Sequence, residues 1–200
     1  MKLKVAGKTN GLCLILTLIV VLLGAVVCNA APISYSVNRT IGIGSVTGFI
    51  ETDGSLGLLG AGNFVDWNLL LNDGTFTFDL TGPLGGNNSV VFDLGADTTA
   101  TATQLLFNFS GSDNGLLLFQ DGLFSGNTYY CDGTAGNFAC FSGETVVANN
   151  VFTTFQNASR SGNVVIGTAG SAVPEPATLI MFGSGIVGLA GILRRKINLL

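Results

Sequence analysis

Histidine is absent from all 200 residues, and lysine is absent between residues 31 and 173. The first absence removes the commonest general base and the commonest metal-binding side chain. Ser-His-Asp and Cys-His mechanisms are therefore excluded as such. The second removes Schiff-base and Ser-Lys chemistry from the same interval. Cations are scarce as well: Arg39 and Arg160 are the only two in that stretch, against eleven acids, for a net charge of −9. The whole-chain value of −4 hides this, because the other six bases lie in the terminal segments. A domain this acidic repels a phosphate backbone, which excludes nucleic acid as a partner.

Carboxylate chemistry is what these absences leave. A glycosidase needs two acids about 5–9 Å apart, and Glu51, Asp66, Asp79, Asp93 and Glu144 are the available candidates. Asp53, Asp73, Asp113, Asp121 and Asp132 mostly precede Gly or Asn-Gly, where aspartate is expected for turn geometry alone. Calcium could be held by turn-borne oxygens at Ser112-Asp113-Asn114-Gly115 and Asp121-Gly122, although no EF-hand or nonapeptide spacing is present. Trp67 is the single tryptophan and falls in an alternating run, which points it inward. Tyr129 and Tyr130, in a stretch that reads as a loop, are then the aromatic candidates for a carbohydrate contact.

Sustained helical periodicity is also missing between the two ends. In its place, short apolar runs alternate with Gly, Asn and Asp turns. Ile33, Tyr35 and Val37 share a face, as do Trp67, Leu69 and Leu71, and Leu105, Phe107 and Phe109. Phe64 to Leu71 and Thr75 to Leu80, joined through Asn72-Asp73-Gly74, form a hairpin signal. Further strands are expected at Ser89–Leu94, Thr98–Phe109, Leu116–Gln120, Thr145–Ala148, Val151–Phe155 and Asn163–Ile166, with residues 121–143 as loop. Fourteen phenylalanines can fill much of an interior between two sheets. The expected fold class is all-β, a β-sandwich or jelly-roll-like domain over residues 31–172.

The N-terminal 30 residues read as a secretory signal peptide. Lys2, Lys4 and Lys8 form a basic region, Leu12 to Val27 is apolar, and Cys28-Asn29-Ala30 sets up cleavage between Ala30 and Ala31. Lipoprotein processing at Cys28 is the alternative, with Val27 poorly suited to precede it. Cleavage removes Cys13 and Cys28 and leaves Cys131 and Cys140, which in an exported domain read as a disulfide. A metal pair is the rival, with no histidine to complete it.

At the other end, two of the four prolines flank a single acid in Val173-Pro174-Glu175-Pro176-Ala177-Thr178-Leu179. Ala177 to Leu193 is uncharged, roughly 25 Å as a helix and at the short end of what spans a bilayer core. Arg194, Arg195 and Lys196 follow, a basic stop that places the C-terminus on the cytoplasmic side. Gly183-Ser184-Gly185-Ile186-Val187-Gly188 matches a dinucleotide-binding fingerprint in form only, since that motif works between a strand and a helix and here it lies within an apolar span after two prolines. A plain membrane anchor would share the span and its orientation.

The order of tripeptide, span and basic tail over residues 173–200 resembles the PEP-CTERM sorting signal of bacteria. That resemblance implies an exosortase, a membrane-embedded cysteine peptidase or transpeptidase, as partner, with Pro174, Glu175 and Pro176 as the recognition motif. It implies export, a membrane-anchored intermediate, and then a cell-surface or extracellular location linked to exopolysaccharide or biofilm. The chain is expected to be a non-enzymatic exported protein without a cofactor. A carbohydrate- or calcium-binding module and a carboxylate-dependent hydrolase are the alternatives.

Overall fold

The computed structural model describes residues 30–85, 89–111, 114–122, 128–136, 140–149 and 154–170. Its strands are β1 (Ile33–Ile41), β2 (Gly44–Thr52), β3 (Gly57–Leu58), β4 (Phe64–Asn72), β5 (Thr77–Thr81), β6 (Ser89–Leu94) and β7 (Thr98–Ala100). They continue with β8 (Gln104–Asn108), β9 (Leu116–Asp121), β10 (Tyr129–Gly133), β11 (Gly143–Val147), β12 (Gln156–Ala158) and β13 (Asn163–Ala169). One short 3-10 turn, Ala61–Asn63, precedes β4.

The strands form two antiparallel sheets. One has eight strands in the order β3-β7-β8-β13-β1-β2-β4-β5, and the other has five in the order β12-β11-β10-β9-β6. The alternation read from the sequence sets their faces. Tyr35, Val37 and Ile41 of β1, Trp67, Leu69 and Leu71 of β4, and Leu105 and Phe107 of β8 are all buried. They share one core with Leu117, Phe119, Tyr130 and Val146 of the smaller sheet, so the sheets pack face to face in a β-sandwich-like arrangement. Phe119 is central: its ring lies 5.2 Å from Trp67 and 5.7 Å from Phe64, edge to face, and stacks on Tyr130. Trp67 satisfies its indole N–H by donating to Ser89 Oγ at 2.9 Å.

The hairpin expected through Asn72-Asp73-Gly74 forms, with Leu69 opposite Leu80 and Leu71 opposite Phe78. Gly48 on β2 is required where the sheet is tightest. Its φ is +137°, and a Cβ there would collide with the Asn68 carbonyl oxygen.

Two expectations are corrected. Residues 121–143 are not simply loop, because Tyr129–Gly133 is a strand in the middle of the smaller sheet, paired on both sides. The Gly and Asn residues around it masked a Tyr-Tyr-Cys run that is itself strand-prone. Thr98–Phe109 is two strands, since Thr101 turns the chain: its N–H donates to the Gln104 carbonyl and its hydroxyl accepts from the Gln104 N–H. Most of the strand expected at Val151–Phe155 lies outside the described residues; Thr154 and Phe155 precede the short strand Gln156–Ala158. Among the described residues no helix is long and apolar enough to cross a membrane. The apolar segments expected at Leu12–Val27 and Ala177–Leu193 lie outside the described residues.

Candidate functional site

Strict alternation along β1 puts Arg39 on the same inward face as Tyr35, Val37 and Ile41, with its side chain 17% exposed. A guanidinium among apolar side chains needs a counter-charge, and the smaller sheet supplies it. Glu144 on β11 has no solvent exposure and accepts Nε of Arg39 at 2.5 Å on one oxygen and Nη2 at 2.9 Å on the other. Arg160, between β12 and β13, reaches the same carboxylate at 2.5 Å through its own Nε. Both arginines of the domain thus grip one glutamate.

They also brace the larger sheet at a weak point. β1 and β13 pair only at Tyr35–Ala169 and Ser36–Thr168, although β1 runs on to Ile41 and β13 begins at Asn163. On its other side β13 carries a register shift at Val165/Gly167 in its pairing with β8. Across the split between β1 and β13, Arg39 Nη1 donates to the Val165 carbonyl at 2.8 Å and Arg160 Nη2 to the Thr40 carbonyl at 2.9 Å. The outer mouth of the split is a cleft of about 320 Å³ lined by Ser36, Asn38, Arg39 and residues 165–168.

Asp132 completes the buried group. It lies opposite Glu144 in the β10–β11 ladder and is fully buried. Its Oδ2 accepts from the Tyr130 hydroxyl at 2.9 Å, and that hydroxyl also lies 3.4 Å from Glu144 Oε1. Its Oδ1 is buried with no hydrogen-bond partner among the described residues. Burial pushes the Asp132 carboxyl well above the usual carboxylate range, and the charge of Glu144 adds to this against Tyr130, Arg39 and Arg160. Tyr130 is likewise pushed well above its ordinary value by burial and by the two carboxylates. Burial would lower the Arg39 guanidinium, but the hydrogen bonds and charge of Glu144 outweigh it and raise it.

The placement of the other candidates follows from register. Glu51 and Asp66 face each other across β2 and β4 on the open face of the larger sheet. Asp79, on the same face, is exposed. Asp93 accepts from the Thr98 hydroxyl at 3.1 Å and is raised to about 6 by burial, with Asp97 adding to the shift. Asp132 is not a turn residue, because β10 carries it into the interior. Tyr129 and Tyr130 are 8% and 0% exposed and offer no aromatic platform. Burial pushes the Tyr129 hydroxyl up to about 12. Asp121 ends β9, and Ser112 and Asp113 lie outside the described residues. Among the described residues no three His, Cys, Asp or Glu side chains are grouped to hold a metal ion. Cys131 and Cys140 form a disulfide with their Cα atoms 5.4 Å apart. The Thr145 hydroxyl donates to the Cys140 carbonyl at 2.7 Å and fixes the far end of that link.

The sequence reading missed the buried charge cluster. Its one available signal was the parity of Arg39, which continues the inward series Tyr35, Val37 in a chain with almost no other cation.

The described residues thus define a disulfide-bearing all-β domain of two antiparallel sheets, ending at a C-terminal strand. Immediately beyond that strand, residues 172–196 match the family described as the PEP-CTERM protein-sorting motif. The chain therefore carries a PEP-CTERM sorting signal, that of an exported protein with a membrane-anchored intermediate, processed by an exosortase. No curated protein and no solved structure matches the chain. Pro174, Glu175 and Pro176, the span Ala177 to Leu193, Arg194, Arg195 and Lys196 lie outside the described residues, as does most of the segment before the Ala30–Ala31 junction.

Proposed function

We propose that the chain is a non-enzymatic cargo protein of the cell surface or extracellular matrix, associated with the producer's exopolysaccharide. Its N-terminal segment directs export and is cut after Ala30. Ala177 to Leu193 holds the intermediate in the membrane, Arg194 to Lys196 sets its orientation, and the exosortase reads Pro174-Glu175-Pro176. The β-sandwich is then released or attached outside the cell.

The observation that carries this reading is the sorting motif at residues 172–196, directly after the last strand of the domain. The burial of both carboxylates in the charge cluster supports the non-enzymatic part. Asp132 and Glu144, opposite each other in the β10–β11 ladder, have no solvent exposure. Intact mass of the mature protein from membrane and culture-medium fractions is the test. A C-terminus near residues 174–177 is expected, and a C-terminus retained at Leu200 would make the segment a plain anchor.

A further inference from the structure

We propose that the cleft between β1 and β13 binds a small hydroxylated carboxylate, a sugar acid, whose anionic end lies on Arg39 and whose hydroxyls meet Ser36, Asn38 and Thr168. The site is independent of the sorting signal, because every residue in it belongs to the folded domain.

Four observations converge on it. The cleft, about 320 Å³, lies at the lower end of the roughly 300–1,000 Å³ range of small-molecule sites, the scale of one sugar residue. Arg39 lines it, and among the described residues its hydrogen bonds to Glu144 and Val165 use three of the five guanidinium N–H bonds. The group is therefore already oriented, and two N–H bonds remain for a ligand. Ser36, Asn38 and Thr168 are exposed beside it and supply hydroxyl and amide partners. Finally, the electrostatics single out this place on the domain. Both arginines of the domain meet the single Glu144 carboxylate, and burial favours the neutral form of the neighbouring Asp132, so the cluster under the cleft leans positive. Elsewhere the domain is acidic and repels anions. That positive lean suits a carboxylate and disfavours a metal cation.

The groups facing Arg39 are Glu144 and Asp132 from the smaller sheet, Tyr130 beside them, and Arg160 from the β12–β13 connection. Burial holds Asp132 toward its neutral form. Its ionisation as pH rises would offset the positive lean of the cluster.

The test is calorimetric titration of the full exported protein with glucuronate and with glucose at matched ionic strength. Glucuronate is expected to bind at least about tenfold tighter than glucose. Asn38→Ala and Thr168→Val, both at exposed positions, are expected to weaken glucuronate binding about 5–10-fold each with unchanged melting temperature. Binding is expected to weaken as pH rises in the wild type and to stay flat in Asp132→Asn. Equal affinity for glucose and glucuronate, no binding of either, or wild-type affinity in both folded cleft variants would overturn the proposal.

Discussion

Asp132 and Glu144 stand opposite each other on β10 and β11, both without solvent exposure, yet among the described residues the two arginines form their ion pairs with Glu144 alone. Like charges directly across a ladder are destabilising. The pair persists because Asp132 favours its neutral form. Its folded pKa is raised above the unfolded value, so its contribution is fully present below about pH 4 and is lost as pH rises toward the folded pKa. Asp132→Asn is expected to stabilise the domain by about 1–2 kcal/mol at pH 8 and to have little effect at pH 4. Urea unfolding at the two pH values checks this, and equal effects at both would contradict it.

Removing Glu144 acts in the opposite direction. Glu144→Gln removes the carboxylate that is ion-paired with Arg39 in the interior, a change that costs about 3–5 kcal/mol for buried pairs. Arg160 is 30% exposed and keeps access to water. Arg160→Gln is therefore expected to cost only about 1 kcal/mol. Denaturant midpoints of the two variants should fall in that order.

Asp73 shows the reverse pH behaviour. Burial would raise its carboxyl, but the N–H groups of Phe76, Thr75 and Ala148 and the Thr154 hydroxyl outweigh it and lower it. Asn149 donates to the same group at 3.0 Å. Its contribution is present above the unfolded pKa and lost as pH falls through the lowered folded value. Asp73→Ala is expected to cost about 1–3 kcal/mol at pH 7, with the gap narrowing as pH falls below the unfolded value of about 3.9. Thermal melts across that range measure it.

The Cys131–Cys140 link closes a short loop, with nine residues of separation. Reduction, or the Cys131→Ala/Cys140→Ala double variant, is expected to lower stability by about 2–3 kcal/mol. Comparing urea midpoints with and without reductant checks the value. The fold should survive, because the main core lies on the other face of β10.

At the sorting signal, Glu175→Gln and deletion of Arg194 to Lys196 are each expected to leave the C-terminal segment uncut or the chain misplaced. Mass spectrometry of the C-terminus in membrane and medium fractions reads the outcome. Unchanged processing in both variants would contradict the assigned role of the motif.

Much of the fold was legible because a half-buried strand writes its burial as alternation. Tyr35/Val37, Trp67/Leu69/Leu71 and Leu105/Phe107 all face the core that their spacing predicted. β10 was hard to read because it is buried on both faces. Tyr130 joins the main core and Tyr129 and Cys131 a second cluster on the opposite face, so no alternation is left to see. The cleft was illegible for a different reason. It arises where two strands 126 residues apart, at Arg39 and Val165, part company, and nothing local in either one records the other. The sorting motif was legible because it works as a linear signal, read as a sequence before any fold is needed.

The last of the described strands to leave the ribosome, β13, lies in the middle of its sheet, between β8 and β1. During vectorial export the eight-stranded sheet therefore remains an open ladder with two raw edges until residue 169 has crossed. Only four residues then separate that strand from Pro174. Closure of the domain would then fall to the stage at which the chain is held at the bilayer. Closure and presentation of the address are nearly simultaneous, so a mature end at Pro174–Ala177 would also report that translocation had gone far enough for the fold to be complete.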